Sequence, residues 1–159
     1  LRTLLRQGTD LDDLPFRIDE LIDEEARGFT ATAAVAVIDA GRRSLRYVRL
    51  GHPPPLLRRP DGTVVHLDGG HQPGIGIAPQ AAAVGAAELD AGSTLVLFTD
   101  GLVEHPRRDL IESIAAAGHR LAALPPGDAA SIADELAHLL DDEPEQRDDA
   151  VIVACTVPS

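Results

Sequence analysis

A chain of 159 residues with 44% hydrophobic content can bury one core of ordinary domain size, filled by Leu, Val, Ile and Ala because aromatics contribute only 3%. Its net charge of -12, with every basic residue an arginine, repels nucleic-acid phosphates and anionic membrane surfaces and suits a basic partner or a divalent cation. The single cysteine, Cys155, rules out an internal disulfide and fits a reducing cytoplasm; its setting in AVIVACTV predicts a small buried hydrophobe.

The chain contains no methionine, and LRTLLRQ reads as a helix already under way, ended by Gly8. That opening predicts a segment that begins inside a larger protein. No signal-peptide pattern is visible, and no apolar run approaches the ~18–20 residues that span a bilayer. A helix is predicted over 13–27, with Pro15 in its first turn, Leu14, Ile18, Leu21 and Ile22 on one face, and Gly28 closing it. The period then changes. TATAAVAVID (30–39) and SLRYVRLG (44–51), joined by AGRR, predict a hairpin. Three prolines interrupt at 53–55, Leu56-Leu57 resumes a strand, and PDGT (60–63) turns it into VVHLD. Residues 69–76 read as loop, 81–89 as a weak strand, and TLVLFTD (94–100) as the strongest strand of the chain. Two helices follow, over 107–124 and 127–142, the second capped by Asp128. Residues 150–157 form a last strand. This order predicts an α+β fold of layered sheets with helices outside.

Two places set acids at the boundary of an apolar strand: Asp100 after LVLFT, and Asp148-Asp149 before AVIVACTV. If these strands are antiparallel neighbours, Asp100 approaches Asp148 or Asp149 at one edge of a sheet. Carboxylates that close repel unless a cation lies between them, and Mg²⁺ or Mn²⁺ takes such hard oxygen ligands. Gly101 lets the chain turn away without crowding the ion. The alternative is an ordinary Asp-Gly turn and a solvated acidic loop. Spacing alone leaves both open.

The blocks LGHPPPLLRRPDGTVVHLDGGHQPGIGI, AGSTLVLFTDGLVEH and RDDAVIVACTV resemble, in order and spacing, the C-terminal part of the SpoIIE-like branch of the metal-dependent protein phosphatases, the PPM family. The resemblance runs from about residue 30 to 157. It implies a β-sandwich flanked by helices, incomplete at its N-terminus here, so that residues 1–159 form a partial domain. It also implies a binuclear Mn²⁺ or Mg²⁺ centre that hydrolyses phosphoserine or phosphothreonine on a protein. In this branch the substrate is an anti-sigma-factor antagonist in bacterial signalling. By position, Asp100 and Asp148 match metal ligands, with Asp149 and Gly101 candidates for the metal or its surroundings. Gly51, His52 and Pro53 match a structural loop near the site, and Gly74 and Gly76 a second backbone feature. Glu104 and His105 follow the Asp-Gly closely and either face substrate or are solvated surface residues. The family's upstream Gly-Asp and Gly-His-Gly block has no counterpart in this sequence, so the ligand set is incomplete and the chain alone is expected to be weak or inactive. A non-catalytic, phosphatase-like module that binds a signalling partner is the competing expectation.

Overall fold

The computed structural model describes residues 2–6, 8–22, 28, 30–80, 83–103, 109–140 and 149–158. Backbone contacts divide the chain into two compact units. One comprises residues 1–52 and 68–88, the other 53–67 and 89–159.

The first unit opens with α1 (Arg2–Arg6) and α2 (Leu14–Glu20). Gly8 follows α1 with φ +77, the left-handed backbone that ends helices, and Pro15 occupies the first turn of α2. The described helix closes at Leu21, earlier than the predicted end at residue 27; residues 23–27 lie outside the described residues. The predicted hairpin forms from β1 (Ala33–Asp39) and β2 (Ser44–Leu50), in register from Ala33 opposite Leu50 to Asp39 opposite Ser44. Against the other side of β2 run two shorter strands. β5 (His71–Gln72) is parallel to it and β6 (Gly85–Glu88) antiparallel. Residues 69–76 were expected to be loop. Instead His71 and Gln72 join the sheet, and Ile75 bridges Ala31 by reciprocal backbone bonds of 2.9 and 3.1 Å. Alternation had no power to find a two-residue strand among glycines and prolines. The core of this unit joins Leu4, Leu11 and Leu14 to Val35, Val48 and Leu50.

The second unit holds an antiparallel sheet in the order β4-β3-β7-β8, where β3 is Leu56–Arg58, β4 Val64–His66, β7 Thr94–Phe98 and β8 Ile152–Thr156. Two helices, α3 (Leu110–Ala123) and α4 (Ala129–Ala137), cover one of its faces. Leu56, Val96 and Phe98 from the strands meet Ile114, Ala117, Leu121, Ile132 and Leu136 from the helices. Asp109 and Asp128 cap the helices, their carboxylates accepting from the backbone N–H groups of Ile111 and Ser131, each at 2.8 Å. Helix α3 approaches β4 at Gly118, where an added Cβ would lie 2.9 Å from Nε2 of His66.

Cys155 is exposed, which corrects the expectation of a buried thiol. Side chains alternate along β8. Ile152 and Ala154 pack against the helix-covered core, so Cys155 shares the opposite face with Val151 and Val153, each 53% exposed. A continuous apolar run had concealed a strand covered on one face.

Candidate metal centre

The apolar residues of β7 have partners on both sides, Leu57 and Cys155 flanking Leu95 and Ala154 pairing with Val96. The strand ends where the chain enters a single 3₁₀ turn over Asp100–Leu102. Two backbone bonds close it, Leu102 N–H to Thr99 C=O at 3.1 Å and Val103 N–H to Asp100 C=O at 2.8 Å. Leu102 and Val103 then bury themselves in the helix–sheet core, at 4% and 3% exposure. This explains the pattern Asp-Gly-Leu-Val. The two apolar residues anchor the turn inward, and Asp100 remains exposed at the rim, one of its oxygens accepting from the Gly101 N–H at 3.0 Å.

β8 begins beside that rim. The antiparallel register pairs Phe98 with Ile152 and continues one residue further through Thr99. The Thr99 N–H donates to the Val151 carbonyl at 3.0 Å, and the Val151 N–H donates to Thr99 Oγ1 at 2.9 Å. Thr99 Oγ1 also donates to the Asp149 carbonyl at 3.3 Å. The tail of β7 and the head of β8 are therefore neighbours, as the sequence reading requires. Of the acids before β8, Asp149 is described and exposed, while Asp148 lies outside the described residues, as do Glu104 and His105.

The donor chemistry of the described residues at this edge suits a hard divalent cation, since Asp100 and Asp149 offer carboxylate oxygens. Among the described residues the number of donors falls short of a full shell. Among the described residues no group of three or more His, Cys, Asp or Glu side chains could hold a metal ion.

The Gly51-His52-Pro53 block follows β2. Gly51 has φ +64, and an added Cβ would come within 2.9 Å of Gly74 Cα, so glycine at 51 lets the two backbones touch. Beneath the block lies Arg49, 8% exposed, whose guanidinium donates to three carbonyls: His52 at 2.9 Å, Asp68 at 2.6 Å and Gly69 at 3.0 Å. Burial among these groups pushes its pKa down. The sequence reading took Arg49 and Thr99 only as positions within the strands 44–51 and 94–100 and gave neither a role. The available signals were an arginine inside an otherwise apolar strand end and a hydroxyl residue directly before Asp-Gly.

The family model for Stage II sporulation protein E, SpoIIE, matches residues 1–158. The chain belongs to the SpoIIE family. Solved structures with the same α+β fold include the phosphatase domain of the Bacillus subtilis cell-fate determinant SpoIIE presoaked with Mn. It has 23% identity and a TM-score of 0.70 over 99% of this chain and 70% of that one. The RsbU and RsbW domains of Rv1364c from Mycobacterium tuberculosis give 24% identity and a TM-score of 0.78 over 99% and 46%. The PP2C phosphatase domain of B. subtilis SpoIIE with a fragment of its regulatory domain gives 22% identity and a TM-score of 0.79 over 96% and 47%. The chain thus spans less than half of the second and third of these structures.

Proposed function

We propose that this SpoIIE-family chain is part of a metal-dependent protein serine/threonine phosphatase domain in which Asp100 and Asp148 are metal ligands. The observation that carries the reading is the β7–β8 register, which sets the rim bearing Asp100 against the first residues of β8 in a chain matched by SpoIIE over 1–158. Asp148 is preferred to Asp149 by its place as the first acid of the block RDDAVIV.

In this reading the acids at the strand ends hold Mn²⁺ or Mg²⁺, with residues 1–159 supplying part of the ligand set. When bound, the metal supplies positive charge against the phosphoryl oxygens and an attacking water that is acidic enough at neutral pH. The protein's own residues bind and orient. Asp100 presents its carboxylate from a turn anchored by Leu102 and Val103, and Gly101 keeps the rim free of a side chain. The substrate is a phosphorylated protein, an anti-sigma-factor antagonist, in the cytoplasm. The likeness to a structure containing RsbU and RsbW domains supports that class of partner. No described helix is long and apolar enough to cross a membrane.

The test is Mn²⁺-dependent hydrolysis of a phosphoserine protein, with p-nitrophenyl phosphate as proxy, on this chain and on one extended upstream. Little turnover is expected from residues 1–159 and measurable turnover from the longer form. Asp100→Asn in the longer form should reduce turnover to background, and turnover that survives it refutes the mechanism. The sparse set of donors among the described residues favours a second reading, a phosphatase-like binding module. Capture of a phosphorylated partner by both forms, without Mn²⁺-dependent turnover in either, would support it.

A further inference from the structure

Regular antiparallel pairing between β7 and β8 stops one residue before the rim, and the way it stops is informative. Thr99 and Val151 stand opposite each other at a position where two strands normally exchange both backbone bonds. Only one of the two is made in the ordinary way, from the Thr99 N–H to the Val151 carbonyl at 3.0 Å. The Thr99 carbonyl is turned into the 3₁₀ turn, where it accepts from the Leu102 N–H at 3.1 Å. The Thr99 side chain takes its place. Oγ1 accepts from the Val151 N–H at 2.9 Å and donates to the Asp149 carbonyl at 3.3 Å. One hydroxyl therefore grips β8 at two successive points of its entry, while the backbone of the same residue starts the turn that carries Asp100.

We infer that Thr99 is a positioning residue for the metal centre, its hydroxyl locking the chain at 149–151 to the rim of β7 so that Asp100 and the acids preceding Ala150 are held together for one cation. The inference rests on the phosphatase reading above. A β-branched residue suits the task, since its restricted χ1 keeps the hydroxyl directed at the neighbouring strand. Serine retains the hydroxyl, and valine keeps the shape but neither accepts nor donates. The other end of the same strand pair supplies a control. There the Thr94 and Thr156 hydroxyls bond at 3.0 Å, far along the ladder from Asp100.

The experiment uses the form extended upstream, unmodified and as Thr99→Val, Thr99→Ser and Thr94→Val. Two quantities are read. One is amide exchange at Val151 and Val153, and the other is Mn²⁺ affinity from the spin-resonance signal of free Mn²⁺. Thr99→Val should speed exchange at Val151 by roughly tenfold or more, leave Val153 unchanged, and weaken Mn²⁺ binding by about tenfold, the worth of one hydrogen bond. Thr99→Ser should restore both, and Thr94→Val should leave Mn²⁺ affinity at the parent value. Unchanged Val151 exchange in Thr99→Val overturns the clamp. Parental Mn²⁺ affinity in Thr99→Val, beside an unmodified chain that binds the ion, overturns the positioning role alone. No Mn²⁺ bound by the unmodified chain overturns the phosphatase reading and the positioning role with it, whatever the exchange data show.

Discussion

Single residues decide how closely the backbone can pack around β2. Gly85 pairs with Tyr47, and an added Cβ would sit 2.2 Å from the tyrosine ring, which is itself only 4% exposed. The ring lies across the glycine and cannot swing outward. Burial also pushes the Tyr47 hydroxyl pKa up, despite the bond it makes to Gly69. Gly85→Ala should therefore destabilise the chain by about 1–3 kcal/mol, the cost of overpacking a buried site, read as a lower urea midpoint at constant slope. Reading the sequence at this scale singled out the turn at Asp100-Gly101 after β7 and the backbone position Gly51, which has positive φ, because both follow from residue type and neighbours. It could not find the tyrosine above Gly85, because that contact depends on a strand pairing 38 positions apart.

Elements were legible where the local signal was complete. Pro15, the cap Asp128 and the run Thr94–Phe98 each determine their structure from within a few residues, and each forms as read, whereas Asp109, read as lying inside a helix over 107–124, is the cap before Leu110. β5 and the exposed side of β8 were not legible, because both are defined by neighbours distant in the chain. The cap of α4 carries a pH dependence. Bonds from the Ser131 backbone N–H, then from its hydroxyl, hold the Asp128 carboxyl below the ordinary aspartate pKa of about 3.9. A folded-state value lower than the unfolded one stabilises fully above the unfolded value, and that contribution is lost as pH falls through the folded value. Asp128→Asn keeps a capping oxygen but removes the titrating group. In thermal unfolding from roughly pH 6 down to 2, the parent should lose ground against this variant only below about pH 4. Parallel curves across the whole range would refute the assignment.

For the molecule as a whole, charge, family and site point the same way. A chain of net charge -12 gathers acids at the junction of two hydrogen-bonded strand ends, and such a field concentrates cations. The sequence announced that junction because strand ends flanked by acids are a local pattern. It was silent on what holds the junction shut, since a threonine hydroxyl standing in for a carbonyl becomes visible only once the turn and the register are both known. Each unit also carries its own apolar cluster, one around Leu14 and Val48, the other around Leu56 and Leu121.

Arg49 gives the chain a further property. Residues 53–67 leave the first unit after His52 and return to it at Asp68, and the carbonyls of those two residues end on the same guanidinium. The excursion is thus a loop knotted at its base, with its tip at the Asp61-Gly62 turn, where Gly62 has φ +86. Lengthening the tip should be felt as ring-closure entropy, which grows by only ~0.6 kcal/mol per doubling of length. Four Gly/Ser residues inserted between Asp61 and Gly62 should lower stability by only ~0.2 kcal/mol while the Arg49 and Gly51 amides, bonded to the Gly70 and Gln72 carbonyls, exchange as slowly as before. Faster exchange at those two amides would mean that the knot slips.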